Sequence, residues 1–180
     1  MCAFLFAAPE TNNLVFSQAF KTYSGALAAE SFSPFAVELR SEYDYHITAG
    51  WKALAGCSLE LGRTVGLLAD VGAKKYLNDV FYVGTVYTFP LSFAQETLSS
   101  TSSGYDKDKY ILTGYKPNLA FFAGMEIADD WVFEVKYRTV THEVKHESEF
   151  RFWFASSSTK LSSLEEEKAA ELSFSLGLIF

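Results

Sequence analysis

Sulfur is scarce in this chain, whose 180 residues include two cysteines and two methionines. Cys2 and Cys57 have neither CxxC nor Cys/His spacing, so the sequence gives no basis for a zinc site or a dithiol redox centre, and a disulfide between them has no support in the pattern. Long apolar runs are lacking as well. None approaches the ~18 residues a membrane helix needs, so any membrane role must use strands or a surface anchor. Basic residues are the minority, Lys+Arg 15 against Asp+Glu 22, and a net charge of -7 argues against binding nucleic-acid phosphates. The opening MCAFLFAAPE has neither the basic region nor the length of a signal peptide. GALAAE at 25–30 resembles a small-residue cleavage site, but Glu10 lies in the segment before it.

What the chain does have is aromatic residues, 17% of the total with Phe 17 and Tyr 10, a bias toward strands. After Pro34, the odd positions Phe35, Val37, Leu39, Ser41, Tyr43, Tyr45, Ile47, Ala49 and Trp51 are mostly apolar, and the even positions include Glu38, Arg40, Glu42, Asp44, His46 and Thr48. A two-residue period sorts these residues and a helical one does not, which predicts a long strand or a strand running into a projecting hairpin. The run from Cys57 to Val71 keeps one apolar phase except at Arg63, a conflict that a bulge, a break at GRTVG or an interfacial position would resolve. VFYVGTVYTFPLSF, YILTGYKPNLAFFAGMEI and WVFEVKYRTVTHEV continue the alternation, with a turn at ADD. The serine-rich stretch AQETLSSTSSGYDKDK reads as a loop, KHESEFRFWFASSSTKLSSLEEEK as a long loop or projecting hairpin, and SLEEEK within it as solvated loop. In the first 33 residues NLVFSQAFKTY reads as a strand and CAFLFAA is a weaker candidate. Seven strands are counted, and eight with that addition, in one all-β domain spanning residues 1–180.

Alternation alone leaves open which face is inside. A soluble lipocalin-like barrel would turn the Phe/Leu face inward around an apolar ligand, whereas a membrane barrel inverts the faces. Gly50, Gly62, Gly66, Gly72, Gly84, Gly114, Gly124 and Gly177 all read as strand residues in the polar phase. A narrow lumen uses such glycines to make room for Glu, Lys and Arg, whereas a solvent face gains nothing from them. Short connections alternate with long polar ones, as expected for turns at one membrane surface and loops at the other.

GMEIADDWVFEVKYRTV (124–140) resembles the penultimate hairpin of small outer-membrane barrels of the outer-membrane protein A/X and Opa-like porin superfamily, and LSFSLGLIF resembles that group's carboxy-terminal β-signal. The resemblance implies a closed antiparallel up-and-down transmembrane β-barrel of eight strands in a Gram-negative-type outer membrane, inserted by the outer-membrane assembly machinery. It implies contact with outer-membrane lipid and lipopolysaccharide, an extracellular ligand or protein met by loops near 94–109 and 143–168, and no cofactor. Its lumen would be filled by a polar cluster of Glu38, Arg40, Glu42, Asp44, His46, Lys116, Glu126, Glu134, Lys136, Arg138 and His142. The signal would be Leu172, Phe174, Leu176, Leu178 and Phe180, with Glu171, Ser173, Ser175 and Gly177 facing inward. Trp131 and Phe180 would be interfacial aromatics.

The expected role is structural and interfacial rather than enzymatic. The sharpest catalytic alternative is His146 with Ser148, whose His-x-Ser spacing resembles that of outer-membrane lipid A deacylases; the histidine would take the serine proton. A metal held by His142, His146 and Glu143 or Glu147 is disfavoured, because strand positions i and i+4 lie about 13 Å apart.

Overall fold

The computed structural model describes residues 12–25, 34–62, 65–94, 96–101, 106–127, 130–151 and 158–180. Among these residues period-2 sequence becomes ten strands: β1 (Asn13–Gly25), β2 (Phe35–Thr48), β3 (Trp51–Leu61), β4 (Gly66–Tyr76), β5 (Phe81–Phe93), β6 (Glu96–Thr101), β7 (Asp106–Tyr115), β8 (Asn118–Ile127), β9 (Trp131–Arg151) and β10 (Ser158–Ile179). Each pairing is antiparallel, and β10 pairs with both β9 and β1. The ring therefore closes through β1, β2, β3, β4, β5, β8, β9 and β10, an eight-stranded barrel without an edge within the ring. Closure is completed by reciprocal backbone bonds between Leu14 and Phe180, at 3.1 and 2.8 Å.

β6 and β7 stand outside the ring. β7 pairs with the far half of β9, and β6 pairs with β7. Pro117 separates β7 from β8, and both follow β9 in turn; proline has no N–H to give the ladder, which accounts for the interruption. Together with the first half of β10 these segments make a four-stranded wall above one mouth of the barrel. At about 3.3 Å per residue, β9 beyond residue 140 extends the wall by roughly 35 Å along the strand.

Several expectations change here. The serine-rich stretch is not a loop: β6 and the start of β7 lie within it. SLEEEK is part of β10, not a solvated loop. The strand read from Phe35 to Trp51 is two strands joined at Gly50, whose φ of +77° suits a residue without a Cβ. The run from Cys57 to Val71 divides at GRTVG into β3 and β4, as the expected break there allowed, and Arg63 lies outside the described residues. Gly50 and Gly62 lie between strands rather than within them. NLVFSQAFKTY is β1, and CAFLFAA lies outside the described residues.

The two faces are inverted relative to a soluble protein. Phe16, Phe20, Leu39, Val71, Phe121 and Leu176 are exposed on the outside, whereas Lys21, Glu38, Asp44, Lys52, Asp70 and Lys74 are at most 1% exposed inside. A soluble barrel holding an apolar ligand needs the reverse, so that reading is overturned. From Phe35 to Ile47 the outward face of β2 covers about 40 Å of strand, or about 30 Å of height at a tilt of ~40°, comparable with the ~25 Å apolar band of a membrane barrel. The fold defines a closed, transmembrane-type β-barrel.

Candidate functional site

The interior is layered. Near the short turns, β5 and β8 interlock through Tyr82 opposite Gly124 and Phe122 opposite Gly84. A Cβ on either glycine would overlap the ring of its partner strand, so the glycines create the space in which the rings cross the lumen. Tyr76, Leu54, Val15, Val86 and Val132 complete this apolar plug. Near the other mouth, Tyr23, Ala36, Leu68, Tyr115 and Val140 form a second one.

Charges occupy the space between and around the plugs. Lys21 Nζ lies 2.6 Å from Glu60 Oε2 and 3.8 Å from Glu171 Oε1, and it also pairs with Glu38. Arg138 is 2.6 Å from Glu171 and 3.8 Å from Glu60, and Lys136 is 3.7 Å from Glu38. A second group centres on Arg40, which pairs with Glu42, with Glu134 at 3.0 Å and with Asp70 at 3.7 Å. Thr88 donates to Asp70 at 2.6 Å and Tyr82 to Glu134 at 2.9 Å. Closer to the short turns, Lys74 pairs with Asp44 and stands over the Tyr82 ring at 4.6 Å, while Lys52 stands over Tyr76 at 5.3 Å. Among the described residues, six buried cations (Lys21, Arg40, Lys52, Lys74, Lys136, Arg138) face seven buried carboxylates (Glu38, Glu42, Asp44, Glu60, Asp70, Glu134, Glu171). That near balance suits mutual neutralisation rather than a field that selects one sign of ion.

The residues singled out from sequence fall into three places. Glu38, Arg40, Glu42, Asp44, Glu134, Lys136, Arg138 and His142 are buried inside. His46 and Glu126 are half-buried, and Glu126 accepts a hydrogen bond from the Tyr76 hydroxyl. Lys116 stands apart from this interior cluster: it lies at the β7–β8 break with a side chain 47% exposed, 2.5 Å from Glu166. The hydrogen bond to Glu166, and then that carboxylate's charge, raises the Lys116 ammonium above its ordinary pKa. Trp131 and Phe180 are exposed at the short-turn end, and Phe180 meets Phe16 edge-on at 5.8 Å. Leu172, Phe174, Leu176 and Leu178 point outward along β10. Cys57 is a free thiol on the outer face. Lys21, Lys52, Glu60, Asp70 and Lys74 were missed, although each sits in the polar phase of an alternating strand.

The wall carries a different chemistry. Outward on β9, Trp131, Phe133, Val135 and Tyr137 give way to Thr139, Thr141, Glu143 and Lys145, which marks the upper limit of the apolar belt. Lys145 and Glu147 pair at 2.6 Å and Lys109 and Glu147 at 3.8 Å, pairs that contribute little in water. On the opposite face His142 lies edge-on between Tyr23 and Tyr115, at 6.2 and 6.0 Å, while His146 stacks on Tyr110 at 4.4 Å. The two histidines thus have separate surroundings. No group of three or more His, Cys, Asp or Glu residues is placed to hold a metal among the described residues. His146 Nε2 and Ser148 Oγ are 3.2 Å apart, because alternate residues of a strand share a face.

No family model matches the sequence, and no curated protein matches it. Solved structures are similar in shape. One is the outer membrane protein AlkL, determined in DMPC lipid bilayers, with 14% identity, a TM-score of 0.45, and coverage of 97% of this chain and 92% of that one. Another is an outer membrane channel from Pseudomonas putida F1, with 10% identity, a TM-score of 0.39, and coverage of 100% and 99%. At these levels of similarity the functional reading rests on the barrel's own geometry.

Proposed function

We propose that the protein is a non-conducting barrel of a Gram-negative-type outer membrane, with a structural and surface-interaction role. The observation that carries this reading is the combination of an outward apolar belt with a lumen filled by ion pairs between two apolar plugs. An eight-stranded barrel is just wide enough for side chains to fill it, and this chain fills it with large ones. Ions crossing such an interior would have to displace paired charges and the Tyr82 and Phe122 rings. Reconstituted in a planar bilayer, the refolded chain is expected to give no discrete conductance steps. Steady single-channel openings would overturn the sealed-lumen reading.

In this role the belt contacts outer-membrane lipid and lipopolysaccharide, and Trp131 and Phe180 sit at the membrane–water boundary. The outward alternation of Leu172, Phe174, Leu176, Leu178 and Phe180 is the surface offered to the outer-membrane assembly machinery. The wall, with its charged outer side, is the part presented to an extracellular ligand or protein.

One contact favours a second reading, a lipid A deacylase-like hydrolase: Ser148 Oγ lies 3.2 Å from His146 Nε2, within reach of general-base activation. This reading also requires an acid to orient the imidazole. If it holds, replacing His146 and Ser148 together by alanine abolishes release of acyl chains from lipid A by the refolded protein. Release that continues unchanged sinks it.

A further inference from the structure

The outward face of β1 reads Leu14, Phe16, Gln18, Phe20, Thr22. Gln18 is exposed halfway along it, opposite Leu39 of β2 and Leu176 of β10. A carboxamide with two N–H donors and one acceptor oxygen therefore stands within the apolar belt, with phenylalanines along the strand and leucines across it. Thr22, the next polar side chain on this face, turns its hydroxyl back to the Leu172 carbonyl at 3.4 Å. Among the described residues Gln18 has no comparable bond. In hydrocarbon no water supplies one, and an unpaired amide there is strongly disfavoured. Polar side chains at membrane depth mark functional contacts by default.

Gln18 is also where two surface grooves meet. One, of about 550 Å³, lies toward β10 and β9 and is bounded by Phe133 and Phe174. The other, of about 400 Å³, lies toward β2 and β3 and is bounded by Leu39 and Leu59. Phe16 borders both, so the outer face of β1 is a ridge with a trough on each side.

We propose that this face is a docking surface for a second copy of the chain within the bilayer, with the two Gln18 carboxamides paired across a two-fold axis. A primary amide is its own complement, since each N–H of one can donate to the oxygen of the other. In an isologous interface the residue on the axis meets itself. Because both copies insert in the same direction, the axis runs along the membrane normal and the tilted β1 ridges cross at Gln18, with Phe16 and Phe20 of each copy lying over the troughs of the other, so shape and hydrogen bonding share one symmetry. Acyl chains could fill the troughs but offer nothing to the amide, and lipid ester groups lie at the belt's margin rather than halfway across it. The pairing rests on the membrane location proposed above.

The test uses the full chain refolded into phosphatidylcholine vesicles, with Cys2 and Cys57 replaced by serine. Donor and acceptor dyes on a cysteine at position 78, in the β4–β5 turn, report association as protein is diluted in lipid. The expected result is transfer that falls on dilution with a monomer–dimer dependence, and a Gln18→Leu variant that dissociates about tenfold more readily. With Gln18 retained, a bis-maleimide spacer should join two copies through Leu39→Cys, which lies one strand off the axis and so beyond direct disulfide reach of its mate, but not through Val83→Cys, on β5 four strands from β1 round the ring. Gln18→Met serves if the leucine variant misfolds, as judged by heat-modifiable migration. The proposal is overturned by transfer no greater than random encounter, by equal association of the Gln18 variants, or by equal cross-linking at positions 39 and 83. Those results from vesicle-inserted protein leave the membrane reading intact. Recovery of the native chain as a stable soluble monomer without detergent would instead remove the membrane reading, and the pairing with it.

Discussion

Lys21→Met is expected to lower the unfolding free energy of the bilayer-inserted protein by about 3–5 kcal/mol, the cost of leaving buried charge without its partner. The ammonium is fully buried and meets three carboxylates from three strands: Glu38 of β2, Glu60 of β3 and Glu171 of β10. Its removal does not affect them equally. Glu171 keeps Arg138 at 2.6 Å and Glu60 keeps Arg138 at 3.8 Å, but Glu38 is left with Lys136 at 3.7 Å. Most of the loss should therefore arise at Glu38. Methionine nearly matches lysine in volume, so the effect is electrostatic and not a cavity. Denaturant titration followed by the fluorescence of Trp51 and Trp131 measures it. A cycle with Glu38→Gln should show strong coupling, with the double variant recovering much of what Lys21→Met loses. A loss well under 1 kcal/mol would mean that water enters and solvates the carboxylates, and the sealed lumen would fall with it.

How much of this interior could be read beforehand depended on how the charges were spaced. The runs Glu38 to His46 and Glu134 to Arg138 place charged or titratable residues at successive alternate positions, so they stand out in the sequence. Lys21, Glu60, Asp70 and Lys74 sit singly or beside small residues, and a lone charge between apolar neighbours reads equally well as a strand end. Tyr76, Tyr82 and Phe122 escaped because their type suits the belt while their phase is that of the lumen. The signal that could have found them is a glycine directly across the sheet, which only the register reveals. Lys116 failed for a physical reason as well, since the break at Pro117 lifts it out of the barrel to pair with Glu166.

The ring itself was legible, as was the turn at ADD between β8 and β9, but the hairpin at 49–50 was not. Ile47 and Trp51 both face outward on either side of the turn at 49–50, because the register shift between His46 and Thr48 leaves an odd number of residues between the last regular partners, His46 and Lys52, and so preserves the parity of the alternation. The same parity holds from Leu61 to Leu67. Such hairpins are easily passed over by a period-2 reading, which ran β2 into the start of β3 and met the β3–β4 break only through the out-of-phase Arg63. The wall was hidden differently. Its serine and glutamate content is poor in β propensity, and it is extended because each backbone ladder is satisfied by the next strand, a tertiary cause that local composition does not carry.

Val71→Arg is expected to cost about 2–4 kcal/mol in a bilayer, the midplane value for a charge on the lipid face of a barrel. Val71 is 55% exposed, and in a protein surrounded by water such a change would stay within about 0.5 kcal/mol. The sign of the argument thus depends on the solvent around the belt, not on any neighbour in the chain. β4 supplies its own reference for depth. Four residues further toward the short turns on the same face, Lys75 already carries a charge, reaching the Ala49 carbonyl at 3.4 Å and lying over the Trp51 ring at 5.2 Å. A cation is accommodated there because the side chain can direct its head to the boundary, as long basic residues do at a membrane surface. At Val71 an arginine would have to cross about 13 Å of strand to reach the same level. Leu164→Arg, on the exposed outer side of the wall, should change stability by less than about 0.5 kcal/mol. Unfolding in phosphatidylcholine vesicles would then give a profile steep at Val71 and flat at Leu164. If both substitutions were equally mild, the belt would be facing water, and the membrane assignment would fail at its central point.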